Sequence, residues 1–235
     1  ASVCDPELTY SCPPPLTAAT GADTFVHLVE SFTAITREPT PTLAQERVFV
    51  GKNVLTDSLA LAGIRLVGRS LATAYKDPGN TEARGDTMLA ALYGGIVLSN
   101  AGTAAAHAIQ YPVGALTHTP HGVGVGLLLP YVVRHNFSAI MPQLAQIAEA
   151  LGRDTKGMDL RSSAIAGVEA IDEIIAAIER PPTLEELGVK ESDLARIATL
   201  SLNSKRLIDN NPVPLDLDAV SSIVQAAYSG DRTVG

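Results

Sequence analysis

Tryptophan is absent from this 235-residue chain, and four phenylalanines and six tyrosines are its only other large aromatic rings. Alanine and leucine are abundant instead, a composition that favours helix. Basic residues are also scarce: 17 Lys and Arg stand against 25 Asp and Glu, a net charge of −8. No Lys/Arg cluster forms the footprint that nucleic acid requires, and an acidic chain is not drawn to an anionic membrane. No apolar run reaches the length of a spanning helix. The opening Ala1-Ser2-Val3-Cys4 lacks the charged and apolar regions of a secretory signal, so a soluble cytoplasmic protein is expected. The two cysteines, Cys4 and Cys12, fit neither a C-x-x-C nor a zinc-ribbon spacing. They read as idle thiols of a reducing compartment. A dinucleotide-binding loop is missing too. The dense glycine run Gly122-x-Gly124-x-Gly126 does not sit between a strand and a helix, and is read as permitting close helix packing.

The patterns that are present are helical, and the fold class read from them is all-α. Only residues 1–12, with Val3, Leu8 and Tyr10 loosely alternating, read as the tail of a strand and a turn. Prolines are tolerated in a helix's first turn, so Pro13-Pro14-Pro15 opens a helix expected to run to about Ala34. Asp23, His27 and Phe25 lie on its inner face, with Glu30 near the solvent edge. Residues 37–55 read as an irregular loop. Thr56 or Asp57 can cap a helix through about Tyr75, and Asp77-Pro78-Gly79-Asn80 is a turn. Another helix starts at Thr81. Amphipathic stripes mark Ser138 to Leu151 and residues 162–179. Thr183-x-x-Glu186 resembles a capping box for a short helix ending at Gly188. Two further helices are expected, from Ser192 to about Ser201 and from Asp218 to Tyr228.

Five histidines occur in the chain, and three of them fall where chemistry could use them. Asp23 and His27 are four residues apart, which puts both on one helical face. His107 and His121 flank Pro112 and Gly114. Proline removes a donor and clashes with the preceding turn, so the chain is expected to bend there, with a new helix opening near His121. One carboxylate and three imidazoles drawn together suit Fe(II) or Zn(II). His118 reads as a solvated turn residue and His135 as a surface or helix-end residue.

Several stretches resemble the iron-containing (group III) alcohol dehydrogenases. Pro14-Pro15-Leu16-Thr17-Ala18-Ala19-Thr20-Gly21-Ala22-Asp23 with His27 is similar to one family signature. Ser99-Asn100-Ala101-Gly102, His107-Ala108, Tyr111-Pro112-Val113-Gly114-Ala115, Thr119-Pro120-His121-Gly122 and Leu129-Pro130-Tyr131-Val132-Val133 are similar to a second. Asn211-Pro212-Val213-Pro214-Leu215 before the last helix is similar as well.

The resemblance implies the helical C-terminal domain of the dehydroquinate synthase-like fold, over residues 13–235. Residues 1–12 are then the remnant of a link to an N-terminal nucleotide-binding domain outside this chain. The resemblance also implies metal ligation by Asp23, His27, His107 and His121. Fe(2+) is the expected metal, Zn(2+) the alternative, and NAD or NADP the second cofactor. The implied reaction is NAD(P)-dependent interconversion of an alcohol and an aldehyde or ketone, with the substrate oxygen on the metal, in a homo-oligomer. One position departs from the family: many members carry a second histidine four residues after the third ligand, and here Tyr111 stands there, expected to line the substrate pocket. Competing readings are a glycerol-dehydrogenase-like zinc enzyme with three protein ligands, and a non-catalytic helical domain for metal binding or assembly. A metal-dependent hydrolase ranks last, because neither motif carries a spare carboxylate as general base.

Overall fold

The computed structural model describes residues 3–234, and no strand occurs among them. The strand expected over 1–12 is not formed by residues 3–12, and Ala1 and Ser2 lie outside the described residues. A 3-10 turn, Pro6–Thr9, occupies the segment instead, with the Asp5 side chain accepting from the Glu7 N–H and proline at its start. Val3 and Leu8 stay exposed, so the apolar alternation finds no neighbouring strand to pair with.

Helix α1 (Pro14–Thr33) is the axis of the molecule. It packs against α3 (Val54–Lys76), α4 (Thr81–Asn100) and α6 (His121–His135). Thirteen of its residues are buried, far more than one stripe, as expected of a helix enclosed on several sides. Helices α3 and α4 form a long antiparallel hairpin joined by the Asp77–Asn80 turn. Asn53 caps α3 through the Thr56 N–H, three residues ahead of the expected start, and Asn80 caps α4 through the Ala83 N–H. The stretch between α1 and α3 holds only the short α2 (Leu43–Glu46). It laps over the end of α4, where the Val50 N–H donates to the Asn100 carbonyl.

Helix α5 (Ala105–Thr117) leaves α4 at 100°. It continues through Pro112 as one helix, so the chain does not break there. Ala108, Ile109 and Val113 around the ring are fully buried, and their packing outweighs the roughly 3 kcal/mol that an interior proline costs. The break falls at His118, whose backbone is left-handed (φ 56°, ψ 22°) and caps α5 by donating to the Gly114 carbonyl. Pro120 then opens α6 at His121, and α6 likewise continues through Pro130. Helix α7 (Phe137–Ala150) follows at 117° with a kink at Ile140, and packs on α8 (Leu160–Ala177). The Glu186 N–H donates to Thr183 Oγ1 as expected, but the Glu186 carboxylate accepts from the Thr183 hydroxyl instead of its backbone N–H, and the segment is a set of turns rather than a helix. Helices α9 (Leu194–Ser201), α10 (Lys205–Ile208) and α11 (Leu217–Ser229) close the end of the molecule. No single helix among the described residues is long and apolar enough to cross a membrane.

Candidate metal centre

Asp23 and His27 sit one turn apart on α1, where their side chains share a face. His107 lies in the first turn of α5, and His121 is the first residue of α6. Three helices thus present four donors to one place. Asp23 Oδ1 is the common point, 3.3 Å from His27 Nε2, 3.5 Å from His107 Nε2 and 3.5 Å from His121 Nε2. The rings of His27 and His107 stack with centroids 5.0 Å apart. Asp23, His107 and His121 form the tightest group, with one donor atom each within 4.8 Å of the others. His27 stands just outside it, against the same carboxylate oxygen.

The approach of α6 to α1 depends on Gly122. A Cβ at that position would lie 2.0 Å from the Ala19 carbonyl oxygen and 3.3 Å from Asp23 Cβ. His107 is placed by the short link between α4 and α5. Ser31 Oγ donates to the Gly102 carbonyl, and Asn210 Nδ2 donates to the carbonyls of Ala101 and Thr103. Gly102 itself is left-handed (φ +86°), and a Cβ there would meet the Phe49 ring at 2.2 Å.

Glu30 does not lie at the solvent edge expected from its residue type; it is 2 % exposed. One of its oxygens accepts the Ala106 N–H at 2.7 Å. The other accepts the Ala104 N–H at 2.9 Å and meets His107 Nδ1 at 2.7 Å. The two backbone N–H groups and the ring nitrogen compensate the cost of burying a carboxylate. The signal was present in the spacing, because Glu30 follows His27 by three residues and so continues the same face of α1. Its partners, more than 70 residues away, gave no sign of themselves.

The electrostatics follow from this crowding. Burial acts most strongly on Asp23 and works to raise its pKa, but contact with His107 and the fields of all three imidazoles hold the carboxyl below its ordinary value. Burial pushes His27 down to about 4 against the pull of Asp23. It lowers His121 as well. His107 is the exception: burial works to lower it, but carboxylates on both sides, Asp23 and Glu30, raise it to about 9.

The residues fit a divalent cation on two counts. Asp23 Oδ1 and His107 Nε2 are buried yet have no hydrogen-bond partner, an unfavourable state for polar atoms unless something else compensates them. Donors held about 2.0–2.1 Å from a tetrahedral cation stand about 3.4 Å from one another, close to the three separations measured from Asp23. The site is deep on one side and open on the other, since the side chain of His107 is 5 % exposed and that of His121 is 42 %. Tyr111 lies on the open side, half-exposed, its ring 6.3 Å from the His121 ring. His118 is exposed on the α5–α6 turn and His135 lies at the end of α6; neither is among the residues that gather at Asp23.

Known proteins resemble this chain over most of its length. The description of the Fe-containing alcohol dehydrogenase family, C-terminal portion, matches residues 17–228. Long-chain-alcohol dehydrogenase 1 of Geobacillus thermodenitrificans is 33% identical over 229 residues, covering 97% of this chain and 54% of its own length. 1,3-Propanediol dehydrogenase of Citrobacter freundii is 35% identical over 209 residues, covering 89% of this chain and 50% of its own length. Among solved structures, a 1,3-propanediol oxidoreductase superposes with a TM-score of 0.86 at 32% identity, covering 95% of this chain and 55% of that one. Sulfoacetaldehyde reductase from Bifidobacterium kashiwanohense, solved in complex with NAD+, superposes with a TM-score of 0.78 at 28% identity, covering 97% of this chain and 54% of that one. The chain therefore spans about half the length of the curated relatives it matches.

Proposed function

This chain belongs to the Fe-containing alcohol dehydrogenase family, and we propose that it is the metal-binding part of an NAD(P)-dependent oxidoreductase interconverting an alcohol with an aldehyde or ketone. Asp23, His27, His107 and His121 are the metal ligands in this reading, and Fe(2+) is the metal, with Zn(2+) as the alternative. The observation that carries it is the buried Asp23 Oδ1, 3.3–3.5 Å from three imidazole nitrogens on three helices, with no hydrogen-bond partner of its own. A nucleotide-binding domain outside this chain supplies the rest of the cofactor site.

A divalent cation supplies Lewis acidity toward a substrate oxygen, and a nicotinamide supplies or accepts the hydride. The chain's own residues do the remaining work. Asp23 brings the negative charge that three neutral imidazoles lack. His107 is the buried anchor on α5, and His121, on the exposed side, leaves room for a substrate to approach. Tyr111 lines that approach, where its hydroxyl can hold or pass a proton at the substrate oxygen. Helices rather than loops carry these groups, which keeps their positions within the tight tolerances that catalysis needs.

Metal analysis of anaerobically purified protein, with NAD(P)-linked turnover of simple alcohols by the full-length enzyme, tests this reading. One Fe or Zn per chain together with turnover is the expected result; a metal-free protein that turns over alcohols would refute it. A second reading, a three-ligand zinc centre of the glycerol-dehydrogenase type, draws on the tight Asp23, His107 and His121 group that leaves His27 outside. His27→Ala separates the two, since a three-ligand centre keeps its Zn2+ affinity in that variant and a four-ligand centre does not.

A further inference from the structure

Glu30 belongs to no ligand set, yet it touches the proposed metal site through its deepest member, and a role for it there rests on the metal-binding function proposed for this chain. Asp23, His27 and Glu30 occupy one stripe of α1 at spacings of four and three residues, so a single helix supplies two donors and this second carboxylate. Helix α5 has no cap of its own, because Ala104 at its start has no polar side chain. Glu30 fills that role from 74 residues away, accepting the N–H groups of Ala104 and Ala106. A carboxylate is also favourable at the positive end of the α5 dipole.

We propose that Glu30 is a positioning residue for the cation: it accepts the Nδ1–H of His107 and thereby fixes the ring with its Nε2 lone pair beside Asp23 Oδ1. The direction of this bond follows from donor and acceptor chemistry. Both Glu30 oxygens already accept backbone N–H groups, so the side chain serves as the acceptor and the proton of the 2.7 Å contact is assigned to Nδ1. A cation is ligated by the neutral imidazole, and in that form, with the proton on Nδ1, the other nitrogen, Nε2, carries the free lone pair. Nε2 is the nitrogen 3.5 Å from Asp23 Oδ1, and it is buried without a hydrogen-bond partner. A cap alone would need only a short polar side chain at position 104. A glutamate reaching across from α1 serves the helix start and the ring together, so the backbone of α5 and the tautomer of His107 are set by one group. Ligating histidines commonly have their outer nitrogen held in this way, and loss of the partner weakens metal binding about 10–100-fold.

The test titrates the full chain with Zn2+ at a temperature well below melting, in unmodified protein, Glu30→Gln, His107→Ala and the double variant. Glu30→Gln is expected to bind Zn2+ about 10–100-fold more weakly than the unmodified chain. In the His107→Ala background the same change is expected to alter affinity by less than about twofold, because additivity fails where one residue acts through another. Equal affinity of Glu30→Gln and the unmodified chain overturns the role of Glu30 while leaving the metal reading standing. The same holds if Glu30→Gln costs as much without His107 as with it, which would mark a purely structural contribution. Failure of the unmodified chain to bind Zn2+ overturns both. Nitrogen-15 NMR of the unmodified, Zn2+-loaded chain decides the matter without any variant. A protonated Nδ1 and metal-bonded Nε2 on His107 support the proposal, and Nδ1 bonded to metal refutes it.

Discussion

Replacing Gly122 by alanine would drive a methyl group into the contact between α6 and α1 at the point where His121 meets Asp23. The added Cβ would start 2.0 Å from the Ala19 carbonyl oxygen, against 3.4 Å for ordinary contact. The partner is backbone and cannot rotate away, so the two helices must part by about 1.4 Å or the chain must distort locally. Overpacking of this kind costs about 1–3 kcal/mol. For a chain of this length that corresponds to a fall in Tm of roughly 2–12 °C. The larger effect is expected at the metal. Added to the present 3.5 Å between Asp23 Oδ1 and His121 Nε2, the displacement gives about 4.9 Å. Two bonds of about 2.1 Å span at most about 4.2 Å, so one donor is lost and Zn2+ affinity should fall at least tenfold. Calorimetric melting with and without Zn2+, together with a Zn2+ titration, measures both effects. Gly85→Ala is the control. Gly85 lies within α4 with nothing inside 4 Å of an added Cβ, so helix propensity alone should stabilise this variant by up to about 1 kcal/mol. A Gly122→Ala protein with unchanged melting and unchanged Zn2+ affinity would refute the argument that this glycine sets the spacing of the site.

Three further outcomes are expected. Tyr111→Phe in the full-length enzyme should lower kcat/KM about 100-fold or more if its hydroxyl passes a proton, with Zn2+ affinity unaltered; unchanged kcat/KM would remove Tyr111 from the chemistry. Arg84→Ala should destabilise the fold by about 3 kcal/mol, seen as a fall in Tm of roughly 6–12 °C. Arg84 is 3 % exposed and donates to Thr17 Oγ1 and to the carbonyls of Cys12 and Pro78, so a melt within 2 °C of the unmodified chain would refute that estimate. Chelation should lower the Tm of protein previously held at a cation concentration about 100 times its Kd by roughly 5–11 °C, since binding there contributes about 2.7 kcal/mol. An EDTA-insensitive melt would count against a bound cation.

What could be read from the sequence was whatever is encoded locally. The Asp23–His27 spacing, the helix opening at His121, and the apolar stripes of α7, α8 and α11 each lie within a few turns of chain, where periodicity is informative. The misreadings share a different cause. Pro112 has the local signature of a break, but α5 continues through it among buried neighbours at 108, 109 and 113. Glu30 looks solvated by residue type, but the N–H groups that let it be buried arrive from α5. The strand read into residues 1–12 rested on alternation alone, and no partner strand stands beside it among the described residues. The cap of α5 was illegible for the same reason as Glu30, because both are one contact between distant parts of the chain.

That contact bridges 77 residues, between Glu30 and His107, and it has a consequence for the order of events in biogenesis. Before the chain collapses, the three helices wander independently, and bringing their ends together carries a closure penalty that grows with the logarithm of the intervening length. An unfolded polypeptide therefore offers an incoming ion only the local pair on α1. The strong receptor comes into being late, and whatever ion it captures then acts as a clasp on the finished fold. Uptake should accordingly keep pace with refolding rather than with ion diffusion.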